Sequence, residues 1–295
     1  MKNSLYLSSQ QSSRYIKIMH KALRNCCLYL AITTLCTAHC RAEKIAFFYA
    51  LDADLTALKG NSAPDLRTIR VGSTVVQNFT VGRNRVWAAK MGVGNVDTAV
   101  NAAALLSKFP CDVAISTGPA GALSDKVRRL SWYVIDSVVG YQRGTFGPSG
   151  FTVSPDARVV LPKEVFDRLA NAKGSEGIPS GERRALASGD AFIAQSQQRT
   201  IVRDTSGADL VDMNTFGLAT ACSKMKAPLV VWRVVSDSAN EQANEDFRTF
   251  VADYDGLGGR RVREMLLSLP PSQNSVEAYD NIRKALMQPS SEKVP

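Results

Sequence analysis

The sequence predicts an α/β protein: a three-layer α/β/α sandwich around a mixed, largely parallel central sheet. Three observations predict it. Short apolar, β-branched runs alternate with segments whose apolar residues recur at helical spacing, the pattern of strands joined through helices. The run from Pro228 to Val235 reads as a buried strand. After a distinctive leader, about 250 residues remain, a length that suits one large domain.

The elements follow in order. Lys44 to Ala50 reads as a strand. Thr68 to Gly72, Val75 to Val81 and Arg85 to Met91 read as further strands, broken at Gly72 and Gly82. Asn95 to Phe109 reads as a helix, because Val96, Val100, Ala103 and Leu106 keep the helical spacing and the Ala-rich face allows close packing on a sheet. Cys111 to Thr117 and Trp132 to Val139 read as strands, and Lys163 to Ala172 as a helix. Gly140 to Ser154 and Gly174 to Gly181 are rich in Gly, Ser and Pro and read as loops. Arg184 to Ala187 and Asp209 to Met213 read as short strands around a helix near Gln195 to Arg203. Thr215 to Lys226 reads as a helix before the Pro228 strand. A late helix carries Phe247, Phe250, Val251 and Tyr254 on one face. Gly256, Gly258 and Gly259 break or bend it before Val262 to Leu269.

The first 42 residues differ from the rest. They hold six of the 36 basic residues and no acid, leaving 30 basic against 27 acidic in the remainder. The formal charge of +9 is therefore mostly leader, and gives no argument for nucleic acid as a partner. Cys26 to Ala38 is apolar, preceded by Lys21 and Arg24, and has the length of a signal-peptide core but is short for a membrane span. The expectation is a cleaved signal peptide over 1–42, with Met19 a candidate start, and a periplasmic or secreted protein over 43–271. Residues 272–295 form a polar tail, either one amphipathic helix or disordered. Cleavage removes Cys26, Cys27, Cys36 and Cys40, and both histidines, His20 and His39. Cys111 and Cys222 remain as small packed hydrophobes. Acid and base work then falls to carboxylates, Tyr or Lys, with no His-ligated metal and no organic cofactor implied.

Ser236-Asp237 stands just past the Pro228 strand, where open α/β sheets bind ligands. Asp237 is thus a candidate acid in a pocket; its other reading is the N-cap of the next helix. Gly92-Val93-Gly94 is no dinucleotide fingerprint, since no third Gly follows at the right place. It reads as a tight turn, either bringing backbone to a sugar or anion or serving as a plain turn.

Six segments in order resemble the purine nucleoside phosphorylase and nucleosidase superfamily, above all its 5'-methylthioadenosine/S-adenosylhomocysteine nucleosidases. They are Ala50-Leu51-Asp52-Ala53-Asp54-Leu55, Met91-Gly92-Val93-Gly94-Asn95, Ser116-Thr117-Gly118-Pro119-Ala120-Gly121, Ser188-Gly189-Asp190-Ala191-Phe192-Ile193, Val211-Asp212-Met213-Asn214 and Ser236-Asp237-Ser238-Ala239-Asn240. The resemblance implies cleavage of a purine N-glycosidic bond by two carboxylates, parallel to glycoside hydrolysis. Asp237 would protonate N7 of the base, oriented by Ser236, and Asp54 would activate water from the opposite face. Asp54 stands where the nucleosidases carry Glu; its other reading is a helix first-turn acid. Phe192 would stack on the purine, Ile193 would bond the base edge through its backbone, and Met213 would pack under the ribose; the other readings are a core aromatic for Phe192 and plain core filler for Met213. Met91 and Gly92 would bring backbone to the sugar. Asn214 departs from the family's Glu, which grips both ribose hydroxyls, so it forfeits charge-assisted bonds. Asn240 likewise replaces an Asp.

The resemblance implies a homodimer acting on a small-molecule purine nucleoside. The Gly140 to Ser154 loop is expected at the 5' end of the site. The alternatives are a phosphorylase, or a nucleoside-binding protein with a decayed site. Many phosphorylases of the superfamily place Arg just before the Thr117-Gly118 turn; here Ala114-Ile115-Ser116 supplies no cation.

Overall fold

The computed structural model describes residues 42–60, 65–148, 150–170 and 182–269. The expected leader, most of the Gly174 to Gly181 loop's neighbourhood, that loop itself and the tail after Pro270 lie outside the described residues.

The chain alternates strands and helices: β1 Lys44–Tyr49, α1 Asp52–Lys59, β2 Arg67–Val71, β3 Thr74–Val81, β4 Asn84–Lys90, α2 Asn95–Lys108, β5 Val113–Thr117, β6 Pro119–Ala122 and β7 Trp132–Gly140. There follow β8 Gly144–Gly147, β9 Gly150–Val153, β10 Arg158–Val160, α3 Lys163–Ala170, β11 Arg183–Ser188, α4 Ser196–Ser206, β12 Leu210–Asp212, α5 Thr215–Lys224, β13 Leu229–Asp237, α6 Ala243–Asp253 and α7 Leu257–Ser268. Three differences from the expectation matter. Asp52–Lys59 is a helix. Pro119–Ala122 is a strand although it is built of Pro, Ala and Gly. The Gly140 to Ser154 stretch contains the β8–β9 hairpin.

Among the described residues one 11-stranded sheet runs β10-β7-β11-β12-β6-β13-β5-β1-β4-β3-β2, and β7 also pairs with β13. The pairs at its centre, β4–β1–β5–β13–β6, are parallel, while β2, β3 and β10 join antiparallel. The extra β7–β13 pairing closes β7, β11, β12, β6 and β13 into a ring. Such closure removes free edges at the strands that carry most of the site.

Strand β1 shows how the layers form. Side chains alternate across a strand, and Ala46 and Phe48 enter one core while Ile45, Phe47 and Tyr49 enter the other. The first core receives Ala102, Leu105 and Leu106 of α2 and Leu218, Ala219 and Cys222 of α5. The second receives Leu55 and Leu58 of α1, Phe166 and Leu169 of α3, and Val262, Met265 and Leu266 of α7. Because both faces are covered, the central strands must be apolar nearly throughout. Arg233 is the largest exception: it is 1% exposed in the middle of β13.

Candidate active site

The carboxyl ends of β1, β4, β11, β12 and β13 open onto one cavity of about 310 Å³. The parallel strands β1, β4 and β13 point their ends the same way, and the closed ring brings in the ends of β11 and β12, which run opposite to β13 through the antiparallel β12–β6 and β13–β7 pairs. Of the residues expected in the site, Met91, Gly92, Phe192, Ile193, Met213, Asn214, Ser236 and Asp237 line this cavity.

Asp237 is the last residue of β13 and is 2% exposed. Its Oδ2 accepts the Ser236 hydroxyl at 2.8 Å and its Oδ1 accepts the Ala239 amide at 2.9 Å. It does not cap the following helix, which starts six residues later after Gln242. Gly121 makes room for it: a Cβ there would lie 2.9 Å from Asp237 Oδ1. Burial raises the Asp237 carboxyl above its ordinary value, and Asp246 adds to the rise; the hydrogen bonds from Ser236 and Ala239 and the charge of Arg129 act against it. A carboxyl so placed holds its proton to higher pH, as a general acid must.

Phe192 stands on the wall and meets Phe247 of α6 edge-on, with ring centroids 5.7 Å apart. Phe247 was not expected in the site; in the sequence it is one of several apolar residues on a helical face, with nothing to set it apart from core. Asn214, also on the lining, donates from Nδ2 to the Gly92 carbonyl at 2.6 Å.

Asp54 corrects the expectation. It does not line the cavity, and it has no exposed surface. Its Oδ1 accepts the Tyr254 hydroxyl at 2.6 Å and the Gly259 amide at 2.9 Å, while Oδ2 accepts the Thr117 hydroxyl at 2.9 Å. Gly259 lies in the first turn of α7, so the carboxylate caps that helix, where unpaired amides and the dipole favour an anion. Close approach is enforced by glycine: a Cβ at Gly259 would lie 1.9 Å from the Asp54 carbonyl oxygen. Burial raises the Asp54 carboxyl, against the Tyr254, Thr117 and Gly259 hydrogen bonds and the charge of Arg233. Asp54 does stand in the first turn of its own helix, α1, as the helical-acid reading has it, and it caps α7 as well.

The Gly140 to Ser154 loop is a second correction, since none of its described residues lines the cavity. It acts from behind: Gln142 Oε1 accepts the Asp190 amide at 2.7 Å, supporting the turn that leads to Phe192.

Two charged residues that sequence reasoning left aside form the floor. Asp212 lines the cavity, and its Oδ2 accepts Arg233 Nε at 3.0 Å. The Arg233 guanidinium also donates to Ser116 Oγ at 3.2 and 3.3 Å, to the Trp232 carbonyl at 2.9 Å and to Thr215 Oγ1 at 2.7 Å. The signal for it was available: a lone guanidinium inside a buried strand demands buried partners. Lys90 on the rim pairs with Asp52 at 2.7 Å. Among the described residues no cluster of His, Cys, Asp and Glu could hold a metal ion.

Residues 44–266 match the family model of the phosphorylase superfamily. The chain belongs to this superfamily. A 5'-methylthioadenosine/S-adenosylhomocysteine nucleosidase of Exiguobacterium is 30% identical over 220 residues, spanning 70% of this chain and 91% of its own. The corresponding nucleosidase of Staphylococcus carnosus is 27% identical over 229 residues, 76% of this chain and all (100%) of its own. Two solved structures share the fold. One is the Neisseria meningitidis nucleosidase in complex with methylthio-immucillin-A (TM-score 0.68, 22% identity, 77% of this chain and 100% of that one). The other is futalosine hydrolase of Helicobacter pylori (TM-score 0.68, 19% identity, 76% and 97%).

Two predictions follow from these carboxyls. Asp237 has a raised value in the fold, so the stability it contributes is complete below its unfolded value near 3.8 and is lost as pH rises through the folded value. The melting temperature of Asp237→Asn should therefore gain on that of the wild type as pH rises from 4 through neutrality (~7); parallel curves would disprove the burial argument. Asp54→Asn and Tyr254→Phe should each lower stability by about 1–3 kcal/mol in urea unfolding, because each leaves buried polar groups mismatched. Tyr254→Phe, which keeps the carboxylate, should retain most of the activity.

Proposed function

We propose that the protein is a purine nucleosidase, an N-glycosyl hydrolase that releases the base of an adenine-type nucleoside or thionucleoside. The single observation that carries this reading is Asp237: a buried carboxyl with a raised proton affinity, on the wall of a largely apolar cavity that Phe192 and Phe247 also line. A purine leaves poorly as an anion and well once N7 is protonated. The relatives named as nucleosidases support the same reaction.

The geometry supports the acid half of the two-carboxylate scheme. Departure of the protonated base leaves an oxocarbenium-like sugar, a strong electrophile, which water traps. Asp54, one layer behind the wall, is assigned to holding α7 and not to touching that water. Phosphate is disfavoured as the nucleophile, because the donors of Arg233 are committed internally and Lys90 is paired.

The test is base release from methylthioadenosine, adenosylhomocysteine, adenosine and inosine, with and without phosphate. Release independent of phosphate is expected, falling as pH rises through the Asp237 value, since the protonated form is the active one. Asp237→Asn should cost at least about 10²-fold in kcat; full activity in that variant would remove the acid assignment. Stoichiometric binding of a nucleoside without release would favour the decayed binding protein.

Export and homodimerisation belong to the same proposal. The leader's charge and apolar stretch support the first. The exposed Val93, Val96 and Val100 at the start of α2 support the second, since such apolar residues side by side mark contact surfaces. The purified exported protein should begin near Glu43 and have the mass of two chains in solution; an intact leader or a monomer would remove the respective claim.

A further inference from the structure

Resting on the nucleosidase reading, we infer that the sugar end of the cavity is built for a single hydroxyl acceptor and not for a ribose diol, so that 2'-deoxyribonucleosides are substrates on a par with ribonucleosides. The determinant is Asn214. Its Nδ2 donates to the Gly92 carbonyl at 2.6 Å, and that carbonyl also accepts the Thr98 hydroxyl at 3.2 Å. A carbonyl can only accept, so the amide cannot flip: the NH₂ group is fixed toward Gly92 and Oδ1 is left over. Among the described residues Oδ1 receives no hydrogen bond. Asn214 precedes α5, but the helix makes no demand on its side chain, because Asp212 Oδ1 already accepts the Asn214 and Thr215 amides at 3.2 and 3.1 Å.

Among the described residues no other side-chain acceptor beside Asn214 is free to replace the missing one. The two lone pairs of the Gly92 carbonyl are taken. Asp212 lines the cavity, yet its Oδ2 is shared by the Thr215 hydroxyl and Arg233 Nε, and its Oδ1 by two amides. Asp54 lies behind the wall with its own three donors. Lys90 is a donor paired with Asp52.

A vicinal diol offers two O–H donors, which a carboxylate accepts together with charge assistance. One uncharged amide oxygen must face both hydroxyls from a single point and without charge assistance, so it holds the second more weakly than a carboxylate would. The 2'-hydroxyl also withdraws electrons and opposes oxocarbenium formation, so an enzyme favours ribose only by spending binding energy on that hydroxyl in the transition state. Sites that do spend buried polar groups on a hydroxyl reject the analogue lacking it by roughly 10⁴-fold. Here the 3'-hydroxyl can take Oδ1, and among the described residues no second side-chain acceptor is reserved for the 2' position.

The experiment compares adenosine with 2'-deoxyadenosine in two ways. In steady-state base release, kcat/KM for the deoxynucleoside should lie within about tenfold of the ribonucleoside or exceed it. Asn214→Glu and Asn214→Asp, each checked for an unchanged melting temperature, should shift the ratio toward ribose by about tenfold or more through an added charge-assisted bond. Equilibrium binding to Asp237→Asn, which keeps the nucleoside intact, should show similar affinities for the two compounds. A wild-type preference for ribose beyond about 10²-fold, in turnover or in binding, would overturn the inference. Binding of neither compound would overturn it as well. Equal binding without release by the wild type would sustain the one-acceptor site while defeating the nucleosidase reading.

Discussion

The structure depends on the burial of Arg233. A guanidinium is always charged and carries five N–H donors in a rigid fork, so removing it from water is tolerable only if the protein meets all of them. Asp212 from β12, Ser116 from β5, Thr215 from α5 and the backbone of β13 itself do so. That requirement ties together three strands and a helix directly beneath the cavity. It also explains why small hydroxyl residues sit at Ser116 and Thr215, which are fully buried and would otherwise be better filled by apolar side chains. Removing either charge alone would strand the other, which typically costs 3–5 kcal/mol, so the pair is best understood as fixing the floor of the site. Its functional consequence is subtractive. The charges of Asp212 and Arg233 are adjacent to the cavity but are not free to engage a substrate.

The same accounting separates four aspartates that look alike in the sequence. Asp54, Asp190 and Asp212 each accept backbone amides at the start of a helix, α7, α2 and α5 respectively. Asp237 ends the central strand, takes only one amide, from Ala239 two residues on, and stays on the cavity wall. Burial raises both Asp54 and Asp237, so a perturbed carboxyl is not by itself a reacting one. The distinction lies in access and in the number of donors each already holds. A helix N-terminus is a strong claimant for an anion, and α7 has claimed Asp54.

Much of the fold was legible because its signals are local. Buried strands such as Lys44–Tyr49 and Leu229–Asp237 announce themselves by β-branched and aromatic runs, and α2 by its apolar spacing. Pro119–Ala122 was not legible, since Pro, Ala and Gly disfavour strands; its pairing with β12 and β13 overrides that propensity. The eight residues Asp52–Lys59 were read first for chemistry and as a helix only in the alternative reading of Asp54, because their apolar face is only Leu55 and Leu58. Within the site, Ser236, Asp237, Phe192 and Asn214 were legible as sequence signatures at strand ends. The fate of Asp54 was not, because it turns on Tyr254 and Gly259, some 200 residues further on. Phe247 was hidden for a related reason: whether an aromatic on an amphipathic helix faces core or cavity is decided by the angle of the helix, which periodicity does not encode.

A site with one available carboxyl is sufficient for this chemistry if protonation of the base is the demanding step. On the proposed function, the arrangement concentrates rigidity where that proton is delivered. Asp237 ends a strand that pairs with β5 and β6 and closes a ring with β7, and Gly121 on β6 lets the carboxyl lie against its neighbour without a methyl between them. The counter-face demands less. An oxocarbenium-like sugar has already lost its leaving group, so water needs access and modest positioning and not a strong base, which general base catalysis supplies only to the extent of about 10²–10⁴. Under the same proposal the strand ends fix the acid tightly, while the part of the lining built of Met213, the α2 turn and an uncharged amide is left to shape which sugar enters. On the proposed function, rate resides in β13 and selectivity in the Gly92–Asn214 contact.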